Sequence, residues 1–305
     1  MLVFAISDKG GTGRSVTSGN VAYRRALQGA DVCYVDFDFG SPTAGALFHL
    51  ENMLHGVRGK GMHSFLQGDV GQPFGVDVWE ESESDTLRNK PPGSGRLILY
   101  PGDQGGAEFS FSEALVDRCA KLFLELDEQY ELCLVDLSAG RSYATQAALA
   151  ATASPMMSGV TARWLVFHKW TRQHIISAAD LVSGERGILR VGESYGHHRD
   201  ELTRSLRFVR TAVLAPDSPD LAGLRAAQVA WLQDAHSELQ RLASKHGIGR
   251  TNVLGIVPHD PVLQWREQLI SDDDVALTTV ANQATVDAFN SLAMRLVDDD
   301  VWRGL

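Results

Sequence analysis

Lys9-Gly10-Gly11-Thr12-Gly13-Arg14-Ser15 packs three glycines, two cations and two hydroxyls between an apolar run, Leu2 to Ile6, and a helix-like segment. Glycines let successive backbone N–H groups turn inward around an anion. The first turn of the next helix adds unsatisfied donors and the positive end of its dipole. This is phosphate-binding chemistry, and a polyphosphate suits it. Two further apolar runs deliver carboxylates. Val32 to Val35 ends in Asp36-Phe37-Asp38-Phe39-Gly40, and Leu132 to Val135 ends in Asp136-Leu137-Ser138-Ala139-Gly140. Continuous apolar runs read as buried parallel strands, whose carboxyl ends converge on the ligand in a doubly wound sheet. The three motifs therefore meet at one edge.

A Walker loop, Gly-x-x-x-x-Gly-Lys-Ser/Thr, carries its phosphate lysine where Arg14 stands, and Lys9 adds a cation at the front. Lys-Gly-Gly-x-Gly-Lys-Thr/Ser is the deviant Walker motif of the ParA/MinD family of dimeric P-loop ATPases, which this stretch resembles with Arg14 as the one departure. Thr17, Asn20 and Ala22 fall where that family carries the same residues. Leu254, Gly255, Pro258 and Asp260 match its closing Leu-Gly-x-x-Pro-x-Asp segment, which borders the adenine. Ser138 stands where MinD-like members have proline.

The resemblance implies an α/β fold, a doubly wound and mostly parallel sheet flanked by helices. It also implies ATP or ADP with Mg2+ as cofactors. In that frame Lys9, Gly10, Gly11, Thr12, Gly13, Arg14, Ser15, Val16, Gly140 and Pro258 bind the nucleotide. Ser15, Asp36 and Asp136 serve the metal, Asp38 positions the attacking water, and Lys9 reaches across a nucleotide-sandwiched homodimer to the partner's phosphates. Arg14 keeps the positive charge, and its planar fork can take two phosphate oxygens, but it is not a compact ammonium. Nucleotide binding is therefore expected to survive and hydrolysis to be slow or absent. The output is association with a protein partner. Two alternatives stay open: a pseudo-ATPase scaffold holding its nucleotide permanently, and a small-molecule P-loop kinase, in which Lys9 has no evident task. Base choice is open too. No Asn/Thr-Lys-x-Asp guanine motif occurs, and Val213-Leu214-Ala215-Pro216 stands where an adenine-reading asparagine is common.

The 305 residues, 44% hydrophobic and 22% charged, suit a single α/β domain. The net charge of −10 offers no basic stripe able to displace the counterions of DNA. No apolar run reaches the roughly 18 residues of a membrane span. The end of the chain, Asp298-Asp299-Asp300-Val301-Trp302-Arg303-Gly304-Leu305, is one that an anionic bilayer repels, so no membrane anchor is expected. The first strand and loop leave no room for a signal peptide, which reads as cytoplasmic. Cys33, Cys119 and Cys133 read as buried reduced thiols.

Elsewhere the pattern predicts strands at Leu97 to Tyr100, Arg163 to Phe167 and Val253 to Val257. It also predicts a mobile polar loop at about 80–95 and a helix from Pro219 to His246, capped at Ser218-Pro219, whose Leu221, Leu224, Trp231, Ala235, Leu239 and Leu242 pack into the core. The basic stretch His197 to Arg210 reads as a solvated loop and helix face. His168, Lys169, Trp170, Arg172 and His174 read as a solvated helix start.

Overall fold

The computed structural model describes residues 1–106, 111–215, 218 and 221–303. Eight strands form one sheet: β1 (Leu2–Ile6), β2 (Val32–Phe37), β3 (Val76–Asp77), β4 (Leu97–Tyr100), β5 (Leu132–Leu137), β6 (Ala162–Lys169), β7 (Leu206–Val213) and β8 (Val253–Pro258). Their order across the sheet is β3-β4-β2-β5-β1-β6-β7-β8, and every pairing is parallel except β3 with β4. This is the doubly wound, mostly parallel sheet that the apolar runs require.

Successive side chains of a strand point to opposite faces, and β1 shows the consequence. Leu2, Phe4 and Ile6 enter one core with Phe123, Trp164 and helix Glu113–Gln129. Val3 and Ala5 enter a second core with Tyr34, Phe289 and helix α1 (Arg14–Leu27). Phe4 stacks on Trp164 at 4.5 Å between ring centroids. Both faces are covered, which is why β1, β2 and β5 are buried along their whole length. Strands β2, β5 and β1 are adjacent, so the residues after each strand emerge side by side at one edge. Cys33 and Cys133 are cross-strand partners, and all three cysteines are buried and free.

Four expectations are corrected. His197 to Arg210 holds a helix, Arg199–Arg204, and most of strand β7, with Arg207 and Arg210 buried. Arginine enters a core when carbonyls and aromatic faces replace water around its head. Arg207 donates to the carbonyls of Arg204, Leu206 and Trp302, and Arg210 lies 4.0 Å from the Trp170 ring centroid. His168 and Trp170 are likewise buried at the end of β6, although Arg172 stays exposed. The 80–95 region contains helical turns at Val78–Glu81 and Asp85–Arg88. Leu87 and Ser82 are buried, the Ser82 hydroxyl donating to Phe48 O, so the segment is pinned at two points while most of its residues stay exposed at the surface. The long helix spans Ala226–Lys245; Pro219 lies outside the described residues. Its apolar side is only partly covered: Leu239 and Leu242 touch the core, while Trp231 is 68% exposed. No described helix is long and apolar enough to cross a membrane.

Candidate phosphate-binding site

The loop between β1 and α1 turns through left-handed glycines, Gly11 at φ 69° and Gly13 at φ 75°, conformations that a β-carbon would strain. Gly13 is the N-cap of α1, and no side chain caps the helix, so its first-turn amides keep their donors for an anion. The loop is braced from behind: the Thr211 hydroxyl, near the end of β7, donates to Thr12 O at 2.6 Å. Beside it opens a cleft of about 590 Å3, lined by Gly11, Thr12, Gly13 and Val16 at one end and by Pro258, Leu263 and Trp265 at the other. Lys169 and Arg266 put positive charge in its wall, matched in number by Asp260 and Glu267. Trp265 is 87% exposed at the rim. Ala212, beside Thr211, has φ 51° next to a register shift in β7–β8, an observed strain at the cleft wall.

Asp36 and Asp136 are register partners at the ends of β2 and β5. Arg14 turns toward them and away from solvent. It is buried, its Nε donates to Asp136 Oδ1 at 2.5 Å, and its Nη2 donates to Asp38 Oδ2 at 3.0 Å and to Ser15 Oγ at 3.4 Å. Burial by itself lowers the guanidinium's pKa, but Asp136 and Asp38 outweigh it and hold it above its ordinary value. The Tyr34 hydroxyl donates to Asp136 Oδ2 at 2.9 Å, so both oxygens of that carboxylate are engaged. Both oxygens of Asp36 are engaged too, accepting from the amides of Asp38 (3.1 Å) and Ala44 (3.2 Å). Burial, then the charge of Asp136, pushes the Asp36 carboxyl up to about 8, so it is mostly protonated at neutral pH.

The nucleotide and the metal fare differently against this geometry. An uncapped helix start, two left-handed glycines and a cleft of this volume fit a nucleotide. The donors expected to serve Mg2+ do not fit it as arranged: Asp36 and Asp136 each accept hydrogen bonds at both oxygens, and the cation beside Ser15 is a guanidinium. Among the described residues no group of three metal-capable side chains occurs.

Of the residues expected at the site, Gly11, Thr12, Gly13, Val16 and Pro258 line the cleft. Arg14, Ser15, Asp38 and Asp136 form one bonded cluster, and Asp36 lies against it. Lys9 and Gly10 sit at the front of the loop, Lys9 half-buried and in no ion pair among the described residues. Gly140 lies behind the loop and outside the cleft lining, its amide donating to Ser7 O at 2.7 Å. The Ser138 hydroxyl accepts from Phe39 N at 3.1 Å and donates to Phe37 O at 3.3 Å, joining the loops after β2 and β5. Sequence reasoning missed Thr211, Tyr34 and Trp265, and it read Lys169, which lines the cleft, as part of a solvated helix start. Tyr34 was findable, lying two residues before Asp36 and hence on the same strand face. Thr211 gave no signal, lying just past the basic stretch His197 to Arg210 whose solvated reading hid most of its strand.

Solved structures share this architecture over nearly the whole chain. The MinC:MinD cell division complex of Aquifex aeolicus matches with a TM-score of 0.56 at 18% identity, covering 97% of this chain and 95% of that one. MinD complexed with Mg-ADP from Pyrococcus horikoshii matches at 0.54 and 15%, covering 98% of each. A putative plasmid partition protein from Borrelia burgdorferi bound to AMPPNP matches at 0.60 and 12%, covering 97% and 98%. The chain has the MinD/ParA P-loop fold. No protein-family model and no curated protein matches it by sequence.

Proposed function

We propose that this protein binds an adenine nucleotide, ATP or ADP, as a dimerising switch that signals to a protein partner, with hydrolysis slow or absent. One observation carries the reading: an uncapped helix N-terminus behind two left-handed glycines opens on a cleft of nucleotide size. In it the amides from Gly11 to Val16 hold the phosphates, and Pro258 with the exposed face of Trp265 borders the base. Lys9, at the front of the loop, reaches a second subunit's phosphates in this reading. The structural neighbours named with Mg-ADP and with AMPPNP support the ligand class, and the one named with MinC supports a protein partner.

A second reading, a scaffold that holds nucleotide without turnover, draws on Arg14, whose guanidinium is bonded to Asp38, the residue assigned to the attacking water. Nucleotide identified after denaturing freshly purified protein, together with mass in solution with ATP or ADP for the wild type and Lys9→Ala, decides between them. ATP-dependent dimerisation lost in Lys9→Ala is expected of the switch. Retained nucleotide with unchanged mass selects the scaffold, and protein that binds no nucleotide ends both readings.

A further inference from the structure

Beside a phosphate loop, a hydroxyl and the carboxylates of neighbouring strand ends are the groups that a hard divalent cation and its waters use. In this chain those groups are already organised around a cation that belongs to the protein. The Arg14 guanidinium bonds Asp136 through Nε and bonds both Asp38 and Ser15 Oγ through Nη2. Tyr34 takes the second oxygen of Asp136, and backbone amides take both oxygens of Asp36. The arrangement is closed on the acidic side. The third guanidinium nitrogen, Nη1, takes none of these bonds. Arg14 is also the first residue of α1, so its guanidinium is tethered at the helix end where the phosphates are held.

We propose that Arg14 takes the place of the divalent cation and that the phosphate loop binds its nucleotide free of metal. The inference rests on the nucleotide reading above. An arginine cannot lose its proton in a protein, so the positive charge is permanent and indifferent to the magnesium concentration. Its planar fork also suits what the position demands: two edges hold carboxylates while the remaining nitrogen meets a phosphate oxygen. A lysine here would offer one mobile point charge, unable to bridge Asp136, Asp38 and Ser15 together. The ligand class is therefore the metal-free nucleoside di- or triphosphate.

The test is calorimetric titration of the purified full chain with ADP and with ATP, in chelator and in millimolar magnesium, beside Arg14→Lys. Wild-type affinity is expected to agree within about threefold between the two buffers, whereas Arg14→Lys is expected to gain about tenfold or more with magnesium. Wild-type binding that is tighter by about tenfold or more with magnesium overturns the inference and leaves the nucleotide reading standing. No binding in either buffer overturns both. Should Arg14→Lys fail to fold, the wild type alone decides, with a second readout: Mn2+ added to the wild type with ADP is expected to show no protein-bound fraction by electron paramagnetic resonance. A bound fraction that requires the protein overturns the inference.

Discussion

Arg14→Ala removes a buried guanidinium and strands the carboxylate of Asp136 beside Asp36, with the Tyr34 hydroxyl as its remaining partner. Breaking a buried ion pair from one side costs about 3–5 kcal/mol. The structure sets a ceiling on that loss, because the stranded group can escape by taking up a proton. Neutralising an ordinary aspartate costs about 1.4 kcal/mol for each pH unit above roughly 3.9, hence about 4 kcal/mol at pH 7 and about 1.5 at pH 5. Asp38, with its side chain 23% exposed, can turn to water and adds little. The variant should therefore lose about 3–4 kcal/mol at pH 7 and less than half of that at pH 5. The assay is urea unfolding at both values, with Arg14→Ala/Asp136→Asn as the partner variant, which should recover most of the pH 7 loss. Equal losses at the two pH values, or a loss under about 1 kcal/mol at pH 7, would refute the claim that this guanidinium neutralises a buried carboxylate.

Burial pulls the His168 imidazole down to about 4, so it stays neutral in the fold while the unfolded chain protonates near 6.5. Its stability contribution is complete above 6.5 and is lost as pH falls toward 4, about 2 kcal/mol between pH 7 and pH 5. His168→Gln should flatten that slope in paired unfolding curves, and parallel slopes would count against it. Thr211→Val removes the hydroxyl that braces Thr12. The expected cost is about 1 kcal/mol in stability together with weaker nucleotide binding, read by unfolding and by titration. Unchanged binding would show that the loop holds its shape without the brace.

The sheet was legible wherever a short apolar run stands between turn residues, which holds for β1, β2, β4, β5, β6 and β8, whether fully buried or not. Strand β7 was hidden by its arginines. Arg207 and Arg210 belong to the interior only because Trp302, Trp170 and several carbonyls, far away in sequence, enclose their heads. Trp231 misled in the opposite sense: helical spacing says which residues share a face, but not whether anything covers it. At the site, the phosphate loop and the two strand-end aspartates were plain from residue types and spacing. The direction in which Arg14 points was not, since it depends on Asp136 lying opposite it across a neighbouring strand, and on Tyr34 having taken the other oxygen.

The Ser138 hydroxyl, which gives a hydrogen bond to one side of the loop after β2 and takes one from the other, works as a stitch between two strips of chain about a hundred positions apart. While the stitch holds, neither strip can travel without towing the other. Asp38 hangs from one strip, and Gly140, tied to the strand end that precedes the phosphate loop, anchors the other. A shift in any one of the three strains the hydrogen bonds that hold the others, so Asp38, Ser138 and Gly140 keep their places together.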